Sequence, residues 1–283
     1  MIMRKVAVLD HPKKPETREL AGEIADFLIH RGVLVHRATS WESDMMAAFM
    51  PGIDLVVTLG GDGSILRAAR VAAPNGVPVA SVHMGKLGFL SEMTRDNWRT
   101  VLPSFLAGNY WVEERSMITA TASRGKTILG KQDALNDVVV GRRTMARLVH
   151  VKVSIDGSVL TDYACDGMIV STATGSTAYA LAAGGPILSP TLKNMLIVPI
   201  APHMSLDRAI VADLGSTIEL TVSTESEATM TADGQQEIVL ENGDIVTVAS
   251  CPYFARFARI QNRNYFYQTL VARLLRPDVV PSK

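Results

Sequence analysis

Cysteine is scarce in this sequence, and long apolar runs are missing. Only Cys165 and Cys251 occur among the 283 residues, and they form no C-x-x-C motif. This usage excludes a disulfide framework and is typical of a protein from a reducing cytosol. No run of about 18 apolar residues occurs, and residues 1–14 lack the pattern of a signal peptide. We therefore expect a cytoplasmic protein with no membrane partner.

An excess of charge of either sign is also missing. The 28 basic residues balance the 28 acidic ones, so the formal net charge is zero and a nucleic-acid partner is not expected. The six histidines are scattered, and none has the spacing of a metal-binding motif, so no metal site built from side chains alone is predicted. The length corresponds to roughly two domains of about 150 residues each.

The first 110 residues alternate strand and helix patterns. The run IDLVVTL at 53–59 is almost wholly apolar, as a parallel strand covered on both faces requires. Asp96 stands where an N-cap would begin a helix over 96–107. The predicted strands are 5–9, 33–36, 53–59 and 77–82, and the other predicted helices are 16–31, 41–49 and 64–73. This order predicts a doubly wound α/β domain.

The pattern changes near Trp111 to many short strands punctuated by turns such as Asp156-Gly157. The predicted strands include 117–122, 134–140, 148–155, 168–171, 218–222 and 245–249. A final helical pattern at 265–275 has no place in a β domain, so we expect it to return to the first domain. The expected fold class is α/β plus β, with an α/β nucleotide-binding domain at 1–110 plus about 257–283 and a β-rich domain at 111–256.

Gly60-Gly61-Asp62-Gly63-Ser64, between an apolar strand and a helix, is the first candidate site. Its glycines let a ligand approach the backbone at the carboxyl end of a strand, and the helix N-terminus offers free N–H groups to an anion. Asp62 would repel phosphate, so it suits a hydroxyl, a sugar or a metal. The alternative is a strand-to-helix turn in which Asp62 is the N-cap.

The second candidate is the segment 166–186, in which a short strand runs into closely spaced threonines, serine and glycine and then a helix of small residues ending at Gly184. Its hydroxyls can bind phosphate or ribose. Tyr179 is its one bulky aromatic residue and could stack on a base. The alternative is a helix packed tightly on a sheet, with Tyr179 in the core.

Three weaker candidates have structural alternatives of their own. Asn136-Asp137 lies at the end of a strand-like run, where a turn or cap is the default. Asp233-Gly234-Gln235 has the composition of a hairpin turn. The basic cluster Arg142, Arg143 and Arg147 could meet a phosphate or form a solvated loop.

Taken together, five segments resemble the NAD kinase family. They are GGDGSILRAAR (60–70), MGKLGFLSEM (84–93), LNDVVV (135–140), CDGMIVSTATGSTAYALAAGGPILSP (165–190) and DGQ (233–235). The long threonine- and glycine-rich segment is specific, whereas GGDG also occurs in lipid kinases of the same superfamily. A lipid or small-alcohol kinase of that superfamily is therefore one alternative. A non-catalytic nucleotide sensor is another, which would keep the glycine and threonine segments but should lose Asp62.

The resemblance implies that ATP phosphorylates the 2′-hydroxyl of the adenosine ribose of NAD to give NADP, with Mg²⁺ accompanying the ATP. It also implies a homodimer or homotetramer. The residues leave open whether polyphosphate replaces ATP, and whether NADH replaces NAD.

The resemblance also assigns roles to individual residues. Asp62 matches the aspartate that accepts the proton of the 2′-hydroxyl. The other positions it assigns to NAD binding are Gly63, Arg67, Asn136, Asp137, Arg147, Asp166, Thr174, Thr177, Ala178, Tyr179, Ala180, Leu181, Ala182 and Gln235. Leu87, Gly88 and Phe89 match a loop that borders the site. Ala182 stands where the family usually has serine, so one hydroxyl contact is lost there.

Overall fold

A computed structural model describes residues 3–85, 88–143, 148–203 and 206–274. The chain forms two units, one comprising Met1–Glu114 with Ala255–Lys283 (unit 1) and the other Arg115–Phe254 (unit 2). None of the described helices is long and apolar enough to cross a membrane.

The first part of unit 1 alternates strands with helices. Its strands are β1 (Lys5–Asp10), β2 (Leu34–Thr39), β3 (Leu55–Gly60), β4 (Pro78–His83), β5 (Met93–Thr94) and β6 (Trp111–Arg115), and its helices are α1 (Pro15–Ile29), α2 (Ser43–Phe49), α3 (Asp62–Ala72) and α4 (Trp98–Leu106). Every residue of β3 is buried, as its apolar sequence predicts. In α1, Leu20, Ile24 and Leu28 recur every four residues and form the buried face.

Two predictions in this part are wrong in detail. The second strand covers Leu34–Thr39 rather than 33–36, because it pairs with all six residues of β1. Asp96 caps no helix, since α4 begins at Trp98 with Asn97 at its N-cap position. The Asn97 Oδ1 atom accepts a hydrogen bond from the backbone N–H of Thr94 at 2.7 Å and so closes the preceding turn instead.

Unit 2 consists of two six-stranded antiparallel sheets. Its strands are β7 (Ile118–Arg124), β8 (Thr127–Ala134), β9 (Asp137–Arg142), β10 (Val149–Ile155), β11 (Ser158–Cys165), β12 (Gly167–Thr172), β13 (Asn194–Ile200), β14 (Ile210–Asp213), β15 (Ile218–Ser223), β16 (Ala228–Ala232), β17 (Glu237–Leu240) and β18 (Ile245–Ser250), with one helical turn, α5 (Tyr179–Ala182). The sheet orders are β11-β10-β15-β18-β7-β8 and β14-β13-β12-β9-β16-β17. Side chains from both sheets share one hydrophobic core.

Two predicted elements of unit 2 differ from the structure. The run 134–140 is not one strand, because β8 ends at Ala134 in one sheet and β9 begins at Asp137 in the other. Leu135 and Asn136 therefore connect the two sheets. The helix predicted to end at Gly184 is reduced to a 3₁₀ turn and α5, because Ala178, at φ −102° and ψ −128°, leaves the helical region between them.

The chain then returns to unit 1, as the sequence predicted for the terminal helix. Strand β19 (Ala255–Arg259) pairs in parallel with β4, and helix α6 (Tyr265–Leu274) follows it. The completed sheet has the order β2-β1-β3-β4-β19-β6, with β5 beside β4. The amino-terminal α/β fold is thus completed by the carboxyl-terminal residues.

Candidate active site

The glycine turn after β3 places Asp62 at the first position of α3. Gly60 has a φ of +143°, and a Cβ atom there would lie 2.4 Å from Ser64 Oγ, so only glycine fits. Gly61 is the N-cap residue, which makes the N-cap interpretation of Asp62 wrong. The Asp62 side chain is exposed at the positive end of the helix dipole. A carboxylate in this position is available to a ligand.

Gly88 lies directly against the Asp62 carboxylate. A Cβ atom on Gly88 would be 2.7 Å from Asp62 Oδ1, well inside van der Waals contact. The sequence predicted both residues for the site, and the structure brings them together. Leu87, predicted beside them, lies outside the described residues.

An aromatic and cationic cluster lies near this turn. The Arg67 guanidinium is 4.3 Å from the centre of the Trp41 ring, and that ring centre is 4.3 Å from the His11 ring centre. Burial, with a smaller contribution from Arg70, lowers the pKa of Arg67. An arginine side chain nevertheless stays protonated in proteins. These residues follow β1, β2 and β3, at the edge where α/β sheets bind ligands. Arg67 can therefore present a positive charge to an anion.

In unit 2, the carboxylate of Asp233 holds the Leu135–Asp137 connection. It accepts hydrogen bonds from the backbone N–H groups of Leu135 at 3.0 Å, Asn136 at 2.8 Å and Asp137 at 3.3 Å. Asp233 and Gly234 have φ values of +50° and +61°, so the predicted hairpin turn between β16 and β17 is confirmed. The sequence indicated only this turn and missed the contact with the connection.

A cavity of about 350 Å³ opens beside this connection. It is lined by Asn136, Asp137, Val139, Ala178, Tyr179, Thr231, Asp233 and Gly234. Tyr179 is 44% exposed, so the alternative that places it in the core is wrong. The cavity joins carboxylates, an amide and an aromatic ring, which suits a ligand with hydroxyl groups and a flat base.

Asp137 is the electrostatically unusual group of this cavity. Its side chain is buried, and burial is the main cause that raises its pKa to about 7. The negative charge of Asp233 raises the pKa further. Asp137 therefore changes its charge near neutral pH, where it can act as a donor or an acceptor of a hydrogen bond.

Other predicted residues have partners within unit 2. Asp166 forms an ion pair with Arg142 at 3.0 Å, and Arg143 pairs with Glu227 and Glu237. The two described arginines of the basic cluster are therefore neutralised by carboxylates. Arg147 lies outside the described residues.

Several side chains of the hydroxyl-rich segment form contacts with other residues of the protein. Thr174 is buried and accepts a hydrogen bond from Arg115 Nη1 at 3.2 Å, while Thr177 Oγ1 donates to the carbonyl of Thr174 at 3.4 Å. Ala180 is buried in a small apolar cluster with Ile169. Ala182 and Gly63 are exposed, Leu181 and Gln235 are half-buried, and the Gln235 N–H closes the hairpin turn on Ala232.

No group of three or more His, Cys, Asp or Glu side chains in the described part of the chain is arranged to hold a metal ion. Magnesium needs fewer protein ligands when it is bound mainly by substrate phosphates. The site is therefore compatible with a cation that arrives with a nucleotide.

Comparisons with known proteins cover both units. Residues 13–110 match the model of the ATP-NAD kinase N-terminal domain, and residues 135–260 match that of the ATP-NAD kinase C-terminal domain. An NAD kinase from Chloroflexus aurantiacus is 40% identical over 275 residues, covering 97% of this chain and 100% of its own. An NAD kinase from Symbiobacterium thermophilum is 39% identical over 282 residues, covering 96% and 99%.

Two solved structures share the fold. The yeast NADH kinase complexed with NADH has a TM-score of 0.84 at 23% identity, covering all of this chain and 91% of its own. An NAD kinase from Archaeoglobus fulgidus in complex with ATP has a TM-score of 0.76 at 26% identity, covering 95% and 98%.

Proposed function

The chain belongs to the ATP-NAD kinase family, and from this premise we propose how its residues carry out the reaction. The enzyme transfers a phosphoryl group from ATP to the 2′-hydroxyl of the adenosine ribose of NAD, and the products are NADP and ADP. The lipid-kinase alternative rested on GGDG, whereas the family match extends over both units. A non-catalytic sensor would lack Asp62, which this chain has.

Asp62 is the residue to which we assign the proton transfer. Its carboxylate is exposed at the start of α3, so it can hydrogen-bond a ribose hydroxyl and orient the oxygen for attack. As the bond to phosphorus forms, the hydroxyl becomes acidic and Asp62 accepts its proton. The N–H groups at the helix start offset the repulsion between the carboxylate and the phosphates. The exposed position of Asp62 against Gly88 is the observation that carries this assignment.

We assign NAD binding to the cavity of unit 2. In this proposal the Asn136 amide and the Asp137 carboxyl group, which line the cavity, hydrogen-bond ribose hydroxyls or the nicotinamide amide. The exposed ring of Tyr179 stacks on a base. Binding of the distant half of NAD then positions the 2′-hydroxyl, so truncated acceptors lose kcat as well as affinity.

We propose further contacts with the nucleotides at the remaining positions. Arg67 contacts a phosphate through its guanidinium, whereas Thr174 and Ala180, whose side chains are buried, support the segment that Tyr179 belongs to. The other proposed contacts are Gly63, Asp166, Thr177, Ala178, Leu181, Ala182 and Gln235, with Gly88 and Phe89 at the border and Leu87 and Arg147 outside the described residues.

Magnesium is proposed to enter as the complex with ATP. Mg²⁺ commonly keeps several waters and is bound mainly through substrate phosphates, so the exposed Asp62 carboxylate remains available as the proton acceptor. The cation would neutralise charge that develops on the transferred phosphoryl group.

The reaction is tested by incubating the protein with MgATP and NAD and measuring NADP. Parallel reactions replace ATP by polyphosphate, and NAD by NADH, free adenosine or a lipid alcohol. Formation of NADP from NAD, with adenosine a poor acceptor, supports the proposed roles. Turnover of adenosine or of a lipid alcohol as fast as NAD would contradict them.

We also propose that the protein forms a homodimer or homotetramer in the cytoplasm. Exposed apolar side chains on unit 2, including Ile128, Val159 and Val211, are suited to burial against a second copy. Cys165 and Cys251 are both free thiols, which is compatible with a reducing compartment. Sedimentation analysis at several protein concentrations measures the oligomeric state, and a monomer throughout would refute this part.

A further inference from the structure

We propose that Arg259 is a positioning residue for the reaction. It holds the segment Gly88–Glu92 so that Gly88 fixes the direction of the Asp62 carboxylate. This inference rests on the proposed role of Asp62. The part of the chain that returns to unit 1 after unit 2 thereby contributes to catalysis.

Arg259 lies at the end of β19 and is fully buried. Its Nε atom donates to Glu113 Oε2 at 2.9 Å, and its Nη1 atom donates to Glu92 Oε2 at 3.3 Å. Its Nη2 atom donates to the Phe89 carbonyl oxygen at 3.2 Å and to the Tyr265 hydroxyl at 3.1 Å. One guanidinium therefore joins β6, α6 and the segment Gly88–Glu92.

Phe89 and Glu92 of this segment both contact carboxyl-terminal residues. Glu92 Oε1 accepts hydrogen bonds from the backbone N–H groups of Ile260 and Gln261, each at 2.7 Å. The Phe89 ring lies 5.6 Å from the Phe266 ring, and the Arg273 guanidinium lies 5.3 Å from the Phe89 ring centre. These contacts hold Phe89 and Glu92 against β19, α6 and the residues between them.

Burial makes this arrangement sensitive to geometry. Glu92 and Glu113 are buried with Arg259, so each carboxylate needs its hydrogen bonds to offset the loss of water. The Tyr265 hydroxyl lies within hydrogen-bond distance of both oxygens of Glu113, at 3.1 and 3.0 Å. Lysine cannot reproduce these contacts, because it lacks the planar fork of guanidinium donors.

The last contact in this series joins Gly88, the residue before Phe89, to Asp62. The residue before Phe89 is Gly88, whose carbonyl accepts a hydrogen bond from Ser91 N–H at 3.3 Å. The position of a Cβ on Gly88 is only 2.7 Å from Asp62 Oδ1, so the Gly88 backbone closes one side of the carboxylate. A shift of the Phe89 carbonyl moves Gly88 and leaves that carboxylate free to rotate.

The test compares Arg259→Lys with Arg256→Lys. Arg256 is the control for the substitution itself, because it lies on the same strand and binds a carboxylate, Glu114, and a loop carbonyl, Gly76, although its side chain is half-exposed. We expect Arg259→Lys to lower kcat about 10-fold or more, with the KM for NAD changed by less than about twofold, since misplaced groups lose rate rather than binding. Arg256→Lys should leave kcat within about twofold. Equal kcat in both variants would overturn the proposal.

The same substitution is then made together with Asp62→Asn. If Arg259 acts through Asp62, Arg259→Lys changes the residual turnover of Asp62→Asn by less than about twofold. A full additional loss in the double variant would overturn the positioning role. Near-normal turnover of Asp62→Asn alone would instead refute the role of Asp62 and, with it, the reason for positioning.

A second variant covers the case in which Arg259→Lys fails to fold. Tyr265→Phe removes only the hydroxyl between Arg259 and Glu113, and Tyr267→Phe, in an exposed tyrosine of the same helix, is its control. A fall in kcat at constant KM in the first alone supports the proposal. Unchanged kcat in both contradicts it.

Discussion

The Asp233 carboxylate accepts a hydrogen bond from the backbone N–H of Asn136 at 2.8 Å, and the Asp233 N–H donates to the Asp137 carbonyl at 2.9 Å. The connection between β8 and β9 leaves one sheet before it joins the other, so its N–H groups have no strand to pair with. The carboxylate oxygens of Asp233 accept the hydrogen bonds that these N–H groups donate. The hairpin turn thereby fixes the backbone that carries two residues assigned to NAD.

Replacing Asp233 by alanine should weaken NAD binding. Three backbone N–H groups lose their acceptor, and the backbone of Asn136 and Asp137 loses the contact that fixes its position. We therefore expect the KM for NAD to rise about 10-fold, which is the size of effect that the loss of a hydrogen bond to a charged group produces. Asp156→Ala is the control, because Asp156 has a φ of +49° in another hairpin turn and accepts a backbone N–H from Thr217. Steady-state kinetics should show an unchanged KM there, and a similar rise in both variants would contradict the assignment.

The raised pKa of Asp137 makes stability depend on pH. In the unfolded chain this carboxyl titrates near 4, and in the folded protein near 7. Its contribution is fully present below about pH 4 and is lost as the pH rises to about 7, because the buried group must ionise. Asp137→Asn cannot ionise, so its melting temperature relative to the unmodified protein should rise between pH 5 and pH 8. A difference that is constant over this range would refute the shift.

The sequence predicted local features better than contacts between distant segments. The apolar run of β3 and the glycines after it were readable, because burial on both faces and a tight turn each require particular residue types. The contact of Asp233 with Asn136 could not be predicted from the sequence, since 97 positions separate the two residues. The break between β8 and β9 was missed because Leu135 and Asn136 interrupt the β pattern too briefly to mark a change of sheet. The exposure of Tyr179 was left open, because the run of small residues predicted a longer helix than the single turn α5.

Replacing Asp62 by asparagine should abolish most turnover without loss of the fold. The side chain is exposed and keeps its size, but it can no longer accept the proton, so kcat should fall roughly 10²–10⁴-fold. Binding of NAD, measured by calorimetry, should remain. Asp96→Asn changes another exposed aspartate of unit 1 and should retain full activity. Near-normal turnover of Asp62→Asn would remove Asp62 from the role of base.

Replacing Tyr179 by alanine should affect binding rather than stability. Because the ring is 44% exposed, its removal should change the melting temperature by no more than about 2 °C. If the ring stacks on a base, the loss is about 1–3 kcal/mol, and the KM for NAD rises accordingly. Tyr179→Phe keeps the ring and should keep the KM. A collapse of stability with normal NAD binding in the remaining folded protein would favour a structural role.

Replacing Gly88 by alanine should reduce kcat through Asp62. The added methyl group would lie 2.7 Å from Asp62 Oδ1, and the carboxylate, being the exposed end of a side chain, is the group that moves. We expect kcat to fall about 10-fold, in line with small displacements of reacting groups, while the melting temperature and the KM for NAD change little. Gly85→Ala is the matched control, because a Cβ there meets nothing closer than 3.7 Å, at His83 Cε1. If both variants retain full kcat, or if Gly88→Ala loses kcat only in proportion to lost folded protein, contact with Gly88 does not control the orientation of Asp62.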